Sequence, residues 1–434
     1  MNPATLLRKI SALCRGDLAR NAIALYGVTI ANSLLPLVTV PYLARVLGPG
    51  GWGMVLFAQT VATWPAILME FGFVYSATRD IARHMNDPER IRGIVGEVMA
   101  CKFILSILGA ASGFAFWLCV PEFRRQPLFL IGAMWIAIVQ GFNPLWYFQG
   151  MQRMSLPAII EVACRAIFTV SIFFFIRGPA DAVNVILYQA ISVTVSLVLA
   201  LGIMYRRVKF MLCGLARAAR TLRDAWHFFL FVAINALYSR ANGFLLGVLG
   251  APSIVGFYGG PERVLGGLLS LTSPINQVLY PRLAHLVKHD LARARKTVRM
   301  GTVWLGAISI LVGLAMVFGA PWIVRVLFGP GYDRAVPVMR LMGLACPFLV
   351  LKGIMGIRWM FPLGHERIYN RIVMIAAVLD VALMFAFTPW LKEIGAAIAI
   401  LVTEMAIMIA VFVLLWRMRL NPFQNFAIEK PAAS

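Results

Sequence analysis

Eight charged side chains stand inside long apolar stretches of this sequence, where a charge is costly: Arg45, Arg240, Arg263 and Lys352, and Glu70, Glu161, Asp380 and Glu404. A cation or carboxylate left facing lipid costs on the order of 3 kcal/mol by insertion scales, so such residues face one another or a polar path. Arginine presents a planar fork that grips phosphate or carboxylate oxygens two at a time. A carboxylate at the same depth can exchange a proton or hold a cation. The competing reading of each is an internal salt bridge. It is favoured for Glu161 and Arg165, which lie four residues apart on one helix face. Lys352 and Lys102 can also reach the membrane surface by stretching their alkyl stems, and Arg45 can sit in the interface. Glu70 is expected to pair with Arg79 or to line a gate.

The apolar stretches fix the class. Of 434 residues, 61% are hydrophobic and 13% charged, against about 25% charged in soluble domains. Runs of about 20 apolar residues without alternation predict membrane-crossing helices rather than a barrel. We read twelve spans, at about 21–46, 53–75, 97–119, 127–148, 157–177, 183–205, 226–250, 254–280, 300–325, 335–357, 368–390 and 394–416. This divides the chain into a cytoplasmic amphipathic segment (1–20), a six-helix lobe (21–205), a basic linker (206–225), a second six-helix lobe (226–416) and a tail (417–434). Asn21–Gly53 and Asn235–Tyr258 share an asparagine followed within a few residues by Leu-Tyr, and a Leu-Gly turn, suggesting weakly repeated halves.

The net charge of +22 sits in short loops, which argues against nucleic acid. With the N-terminus inside, one set of loops collects most of the cations, from Arg79, Arg83, Arg90 and Arg92 to Arg206, Arg207, Lys209, Arg217, Arg220 and Arg223. The opposite loops hold Arg124, Arg125, Arg177, Arg334 and Lys392. That asymmetry predicts cytoplasmic termini. The linker reads as an amphipathic helix on the anionic leaflet. The six cysteines have no CxxC spacing and read as apolar fillers without a metal. His285 and His289 read as a solvated face, and Gly48-Pro49-Gly50-Gly51 lacks the ending of a phosphate loop. Trp52, Trp64, Trp135, Trp146 and Tyr147 read as interfacial aromatics. Polar span residues such as Gln59, Asn235 and Asn242 either join helices or bind sugars.

Five motifs in order then resemble a known family: Pro41–Gly48 (PYLARVLG), Glu70–Arg79 (EFGF followed by SATR), Pro144–Gly150 (PLWYFQG), Tyr258–Leu283 (Y…ER…YPRL) and Leu327–Tyr332 (LFGPGY). They resemble the Wzx-type polysaccharide flippases of the multidrug, oligosaccharidyl-lipid and polysaccharide exporter superfamily. Glu70 stands where an aspartate is commoner. The resemblance implies two six-helix lobes around a central cavity in a bacterial inner membrane. It implies a transporter rather than an enzyme, moving undecaprenyl-diphosphate-linked oligosaccharide to the periplasmic leaflet by alternating access. No cofactor is implied beyond a coupling ion, H+ or Na+. A polysaccharide polymerase and a chain-length regulator are the expected partners. On this reading Arg45, Arg240, Arg263 and Lys352 are candidates to hold the diphosphate, and Glu70, Glu161, Asp380 and Glu404 to couple an ion or gate. The alternatives are a multidrug or peptidoglycan-lipid exporter of the same superfamily, and a membrane polymerase. The short outer loops disfavour the polymerase.

Overall fold

The computed structural model describes residues 17–211, 213–270 and 282–423, with side chains of the first helix from Val38 onward and at Leu35. The N-terminal segment before Asp17, the end of the eighth predicted span with Gln277 and Tyr280-Pro281, and the last residues of the tail lie outside the described residues, as does Cys14.

The described residues are helical and contain no strand. That follows from the medium: in hydrocarbon each backbone N–H must find its carbonyl within the segment. In chain order the helices are α1 (Asp17–Glu70), α2 (Phe73–Arg83), α3 (Pro88–Cys119), α4 (Pro121–Arg125), α5 (Pro127–Gly141), α6 (Leu145–Gly150), α7 (Ser155–Phe175) and α8 (Ala182–Tyr205). They continue with α9 (Leu215–Leu249), α10 (Pro252–Ser270), α11 (Leu291–Phe328), α12 (Ala335–Lys352), a π-helical turn (Gly353–Met360) and α13 (Glu366–Arg417). Among the described residues nine helical segments are long and apolar enough to cross a membrane.

Two of these segments each hold two predicted spans, joined through a kink. In α1 the break is Gly48, at φ 67° and ψ 176°. The following Pro49 disfavours the helical conformation at residue 48, and glycine takes the positive φ without a Cβ clash. The Gly-Pro-Gly-Gly run is therefore a hinge between two helical limbs. In α13 the break is Lys392, at φ 51° and ψ −126°. A lysine tolerates this strained geometry because its neighbours are pinned: buried Glu393 accepts two bonds from Arg334, at 2.8 and 3.0 Å. A Cβ at Gly395 would stand 2.7 Å from the backbone of Phe387, so the two limbs touch there.

The chain divides into two compact units, Met1–Ala236 and Leu237–Ser434, with the boundary inside α9. In the first unit, α1 packs on α3, α5, α7 and α8. In the second, α12 packs on α10, α11 and α13. The basic linker differs from the expected amphipathic helix. Among the described residues, 206–211, 213 and 214 are not helical, and α9 begins at Leu215. Its start is held by packing: Thr221 donates to Glu97 at 3.1 Å, and the Cys101 thiol donates to the Ala218 carbonyl.

The family motifs do local structural work. Thr78 donates to the carbonyl of Trp146 at 3.0 Å, and a Cβ at Gly150 would meet Ile81 at 2.7 Å. The Ser76–Arg79 and Pro144–Gly150 motifs thus lock α2 against α6. Trp146 and Tyr147 are buried in this contact, and Trp52 is buried elsewhere in the unit. These three are core residues, correcting the interfacial reading; Trp135 stays exposed, donating to Thr194. In the second unit Gly329 and Gly331 both take φ 84°, which turns Tyr332 inward against Phe257 and Phe328.

Candidate functional site

Four helices of the second unit bring a chain of polar side chains into its interior. Helix α9 supplies Tyr238 and Asn242, four residues apart and so on one face. Helix α10 supplies Tyr258 and Glu262 with the same spacing. Lys352 ends α12. Asp380 lies on the first limb of α13, and Thr403 and Glu404 on the second.

Lys352 and Glu404 form an ion pair, with side chains 12% and 8% exposed. Tyr238 ties the pair together: its hydroxyl accepts from Lys352 and donates to Glu404 at 2.5 Å. The Lys352 ammonium also lies 4.7 Å from the centre of the Tyr238 ring. One residue along α13, Thr403 donates to Asp380 at 3.3 Å, bridging the two limbs. Asn242 hydrogen-bonds both Asp380 and Tyr258. Tyr258 donates to Glu262 at 3.5 Å, and Glu262 lies in the field of Arg263 and Arg240.

The arrangement satisfies the rule that charge in hydrocarbon must be paired. It is neutral at the Lys352–Glu404 end. At Asp380 the partners are a hydroxyl and an amide, and no ion pair forms there among the described residues. A carboxylate in that setting can take up a proton or a small cation without breaking a salt bridge. Lys352 and Asp380 act on each other electrostatically, so the charge state of Asp380 and the strength of the Lys352–Glu404 pair are linked.

The sequence-predicted residues separate into groups. Lys352, Asp380 and Glu404 come together in this chain. Lys352 does not stretch to the surface, because Glu404 and Tyr238 hold it inside. Arg263 is half-buried beside Glu262, whereas Arg240 is exposed on α9. Arg45 is exposed on α1. Glu161 pairs with Arg165 at 3.8 Å, half-exposed, as their spacing predicts. Glu70 does not pair with Arg79, which is taken by Asp80 at 3.0 Å; its charge partner is Lys102.

Lys102 overturns the surface reading most directly. Its side chain is 0% exposed and donates to the Gly141 carbonyl at the end of α5. Its ammonium lies 6.0 Å from the Phe73 ring centre. A carbonyl at a helix C-terminus carries partial negative charge, which together with Glu70 holds the cation in place. Tyr238, Glu262 and Thr403 were absent from the sequence-based set. Tyr238 is uncharged; its place in the repeated Leu-Tyr start and its position four residues before Asn242 are the signals that mark it. Among the described residues no group of His, Cys, Asp and Glu could hold a metal ion. His285 and His289 are exposed neighbours.

Comparison with known proteins gives the family of the chain. The family model described as "Polysaccharide biosynthesis protein" matches residues 18–287. The chain belongs to the polysaccharide biosynthesis protein family. Within reach of that family, a protein of Escherichia coli (strain K12) named "Putative O-antigen transporter" is 28% identical over 391 residues, covering 89% of this chain and 94% of that protein. A protein of the same name from Shigella dysenteriae is 24% identical, over 90% of this chain and 98% of its own. Among solved structures, the lipid II flippase MurJ in an inward closed conformation is similar in fold, with TM-score 0.65 and 11% identity, covering 92% of this chain and 87% of that one. The family assignment agrees with the resemblance carried by the five motifs.

Proposed function

We propose that the protein is a flippase moving undecaprenyl-diphosphate-linked oligosaccharide repeat units from the cytoplasmic to the periplasmic leaflet of a bacterial inner membrane, by alternating access. One observation carries this reading: a chain made of membrane-length helices aligns over about nine-tenths of its length with a relative named as an O-antigen transporter. The loops between the helices leave no room for a soluble catalytic domain, which supports transport over catalysis.

The interior chain of Lys352, Tyr238, Glu404, Thr403, Asp380 and Asn242 supports coupling to H+ or Na+ at Asp380. Lys352 is engaged by Glu404, so its part lies in coupling and not in gripping a diphosphate. We assign Arg45 in the first unit and, separately, Arg240 and Arg263 in the second as cations that each meet the diphosphate at some stage of its passage, Arg45 and Arg240 having exposed side chains and Arg263 lying beside Glu262. The Lys/Arg bias supports cytoplasmic termini, and surface polysaccharide synthesis calls for a polymerase and a chain-length regulator as partners.

The test is direct translocation in reconstituted vesicles of defined undecaprenyl-diphosphate oligosaccharides. Protein-dependent exposure of the sugar on the opposite face, accelerated by an ion gradient, is expected. Lipid II in the same vesicles separates the alternative of a peptidoglycan-lipid exporter, which the MurJ-like fold keeps in view. Transport of lipid II with none of the oligosaccharide lipid would reverse the assignment.

A further inference from the structure

The first unit contains an open pocket, lined in part by aromatic side chains, that the interior polar chain does not use. Its volume is about 660 Å³, and it is lined by Phe71, Leu222, Arg223, Asp224, Trp226 and His227. This is within the range of small-molecule sites, roughly 300–1,000 Å³. All six residues belong to the break between α1 and α2 or to the beginning of α9.

The backbone around it is strained. Phe71 takes φ 47°, a left-handed conformation that is unfavourable for a bulky residue. The neighbouring Gly72 follows at φ 72°, and a Cβ there would stand 2.7 Å from the Phe228 backbone. The chain thus turns sharply and lets α9 approach to backbone contact. One result is a fixed aromatic wall. Phe71 stacks on Phe229 with centroids 4.5 Å apart and planes 7° apart, and both lie against Trp226, at 6.1 and 5.5 Å. Phe71 and Phe229 are covered by the packing, whereas Trp226 remains 47% exposed. Arg223, Asp224 and His227 are exposed around the indole.

A strained backbone that persists is over-determined by its surroundings and points to function. An exposed indole offers a flat apolar face of the kind that takes the C–H face of a sugar ring, and Asp224 and His227 beside it can hydrogen-bond hydroxyls. Arg223 suits a phosphate. An anchoring tryptophan in a lipid interface needs neither the cavity nor the held turn at Phe71. We propose that this cavity is a reception subsite for a glycosyl diphosphate head group, with Trp226 as the sugar platform and Arg223 as the diphosphate contact. The subsite rests on the flippase reading and adds to it a residue-level site for the first sugar.

The test uses the full chain in phosphatidylcholine nanodiscs and two soluble probes, citronellyl diphosphate carrying N-acetylglucosamine and citronellyl diphosphate alone. The wild type is expected to prefer the glycosylated probe by roughly tenfold, the scale of one good aromatic contact. Trp226→Ala removes that preference and leaves affinity for the sugar-free probe unchanged. Trp226→Tyr keeps it, which separates loss of the platform from loss of fold. Arg223→Gln weakens both probes. If the wild type prefers the glycosylated probe and Trp226→Ala prefers it equally, the subsite is wrong while the flippase reading stands. If phosphatidylglycerol added to the nanodiscs displaces the glycosylated probe, the cavity is a lipid-headgroup groove and the proposal falls. If the wild type binds neither probe, the subsite is wrong, and the flippase reading is decided separately by translocation of the full-length lipid in vesicles.

Discussion

Removing the lysine from the Lys352–Glu404 pair measures how much of the second unit depends on its interior charges. The two side chains are 12% and 8% exposed, so solvent screens them little. Opposite charges in contact at about 3 Å attract by roughly 5 kcal/mol at an effective dielectric near 20, and desolvation opposes much of that gain. Deleting one partner forfeits the attraction and strands the other charge, which costs about 3–5 kcal/mol. Lys352→Met keeps most of the side chain's length and removes the ammonium group, so cavity terms are small. Tyr238 keeps its bond to Glu404 but loses the bond it accepts. Lys352→Met combined with Glu404→Gln removes both charges and lets the amide oxygen still accept from Tyr238, so the pair together is expected to cost about 1 kcal/mol. The assay is equilibrium unfolding in mixed micelles, run as a double-mutant cycle. With each single change costing at least about 3 kcal/mol and the pair about 1 kcal/mol, the expected coupling is about 5 kcal/mol or more. A cost below about 1 kcal/mol for Lys352→Met, or additive costs for the two changes, would refute the account of a desolvated pair.

Three further outcomes follow from particular contacts. Gly395→Ala forces a Cβ to 2.7 Å from the backbone of Phe387; it is expected to cost about 1–3 kcal/mol by overpacking and to lower the yield of folded protein in size-exclusion chromatography. Gly72→Ala meets both a backbone clash at Phe228 and a left-handed φ, so it is expected to undock the start of α9, read as faster hydrogen exchange over 215–229. Asp181 lies in the loop before α8 and accepts from the backbone N–H of Arg177 at 2.9 Å and of Gly178 at 3.1 Å. The Arg177 bond is the larger cause holding its carboxyl below the usual 3.8, with the Gly178 and Asn184 bonds adding to it. A depressed folded value favours the folded loop above the unfolded value, and that gain disappears as pH falls through the folded one. The turn at 177–181 should therefore stay ordered down to about pH 4 and loosen below 3.8, with Asp181→Asn abolishing that dependence; NMR of labelled Gly178 measures it.

Much of the fold was legible because hydrocarbon leaves the backbone so few options. Runs of apolar residues located the helices, and ten of the twelve predicted spans fall within the nine membrane-length segments or their kinked limbs from the second span onward without a change of order. The kinks were less legible. Gly48 before Pro49 carries a local signal for a break, whereas Lys392 carries none, because its strain is held by Arg334 reaching Glu393 from 59 residues away.

What the residues determined by themselves was that charges at Lys352, Asp380 and Glu404 had to be reconciled with a membrane interior, since desolvation applies wherever a charge enters hydrocarbon. Only the tertiary structure decided how. It brought Tyr238 and Asn242 from α9 to mediate between charges on α12 and α13, and it buried Lys102 against a carbonyl at the end of α5 instead of letting it reach the surface. It also left Arg240 exposed on its unit although its sequence setting looks much like that of the buried residues. Hydrophobicity along a chain sets depth in the bilayer, but it carries little information about rotation around each helix. That rotation depends on which neighbour each face meets, and it is there that a charge acquires its partner.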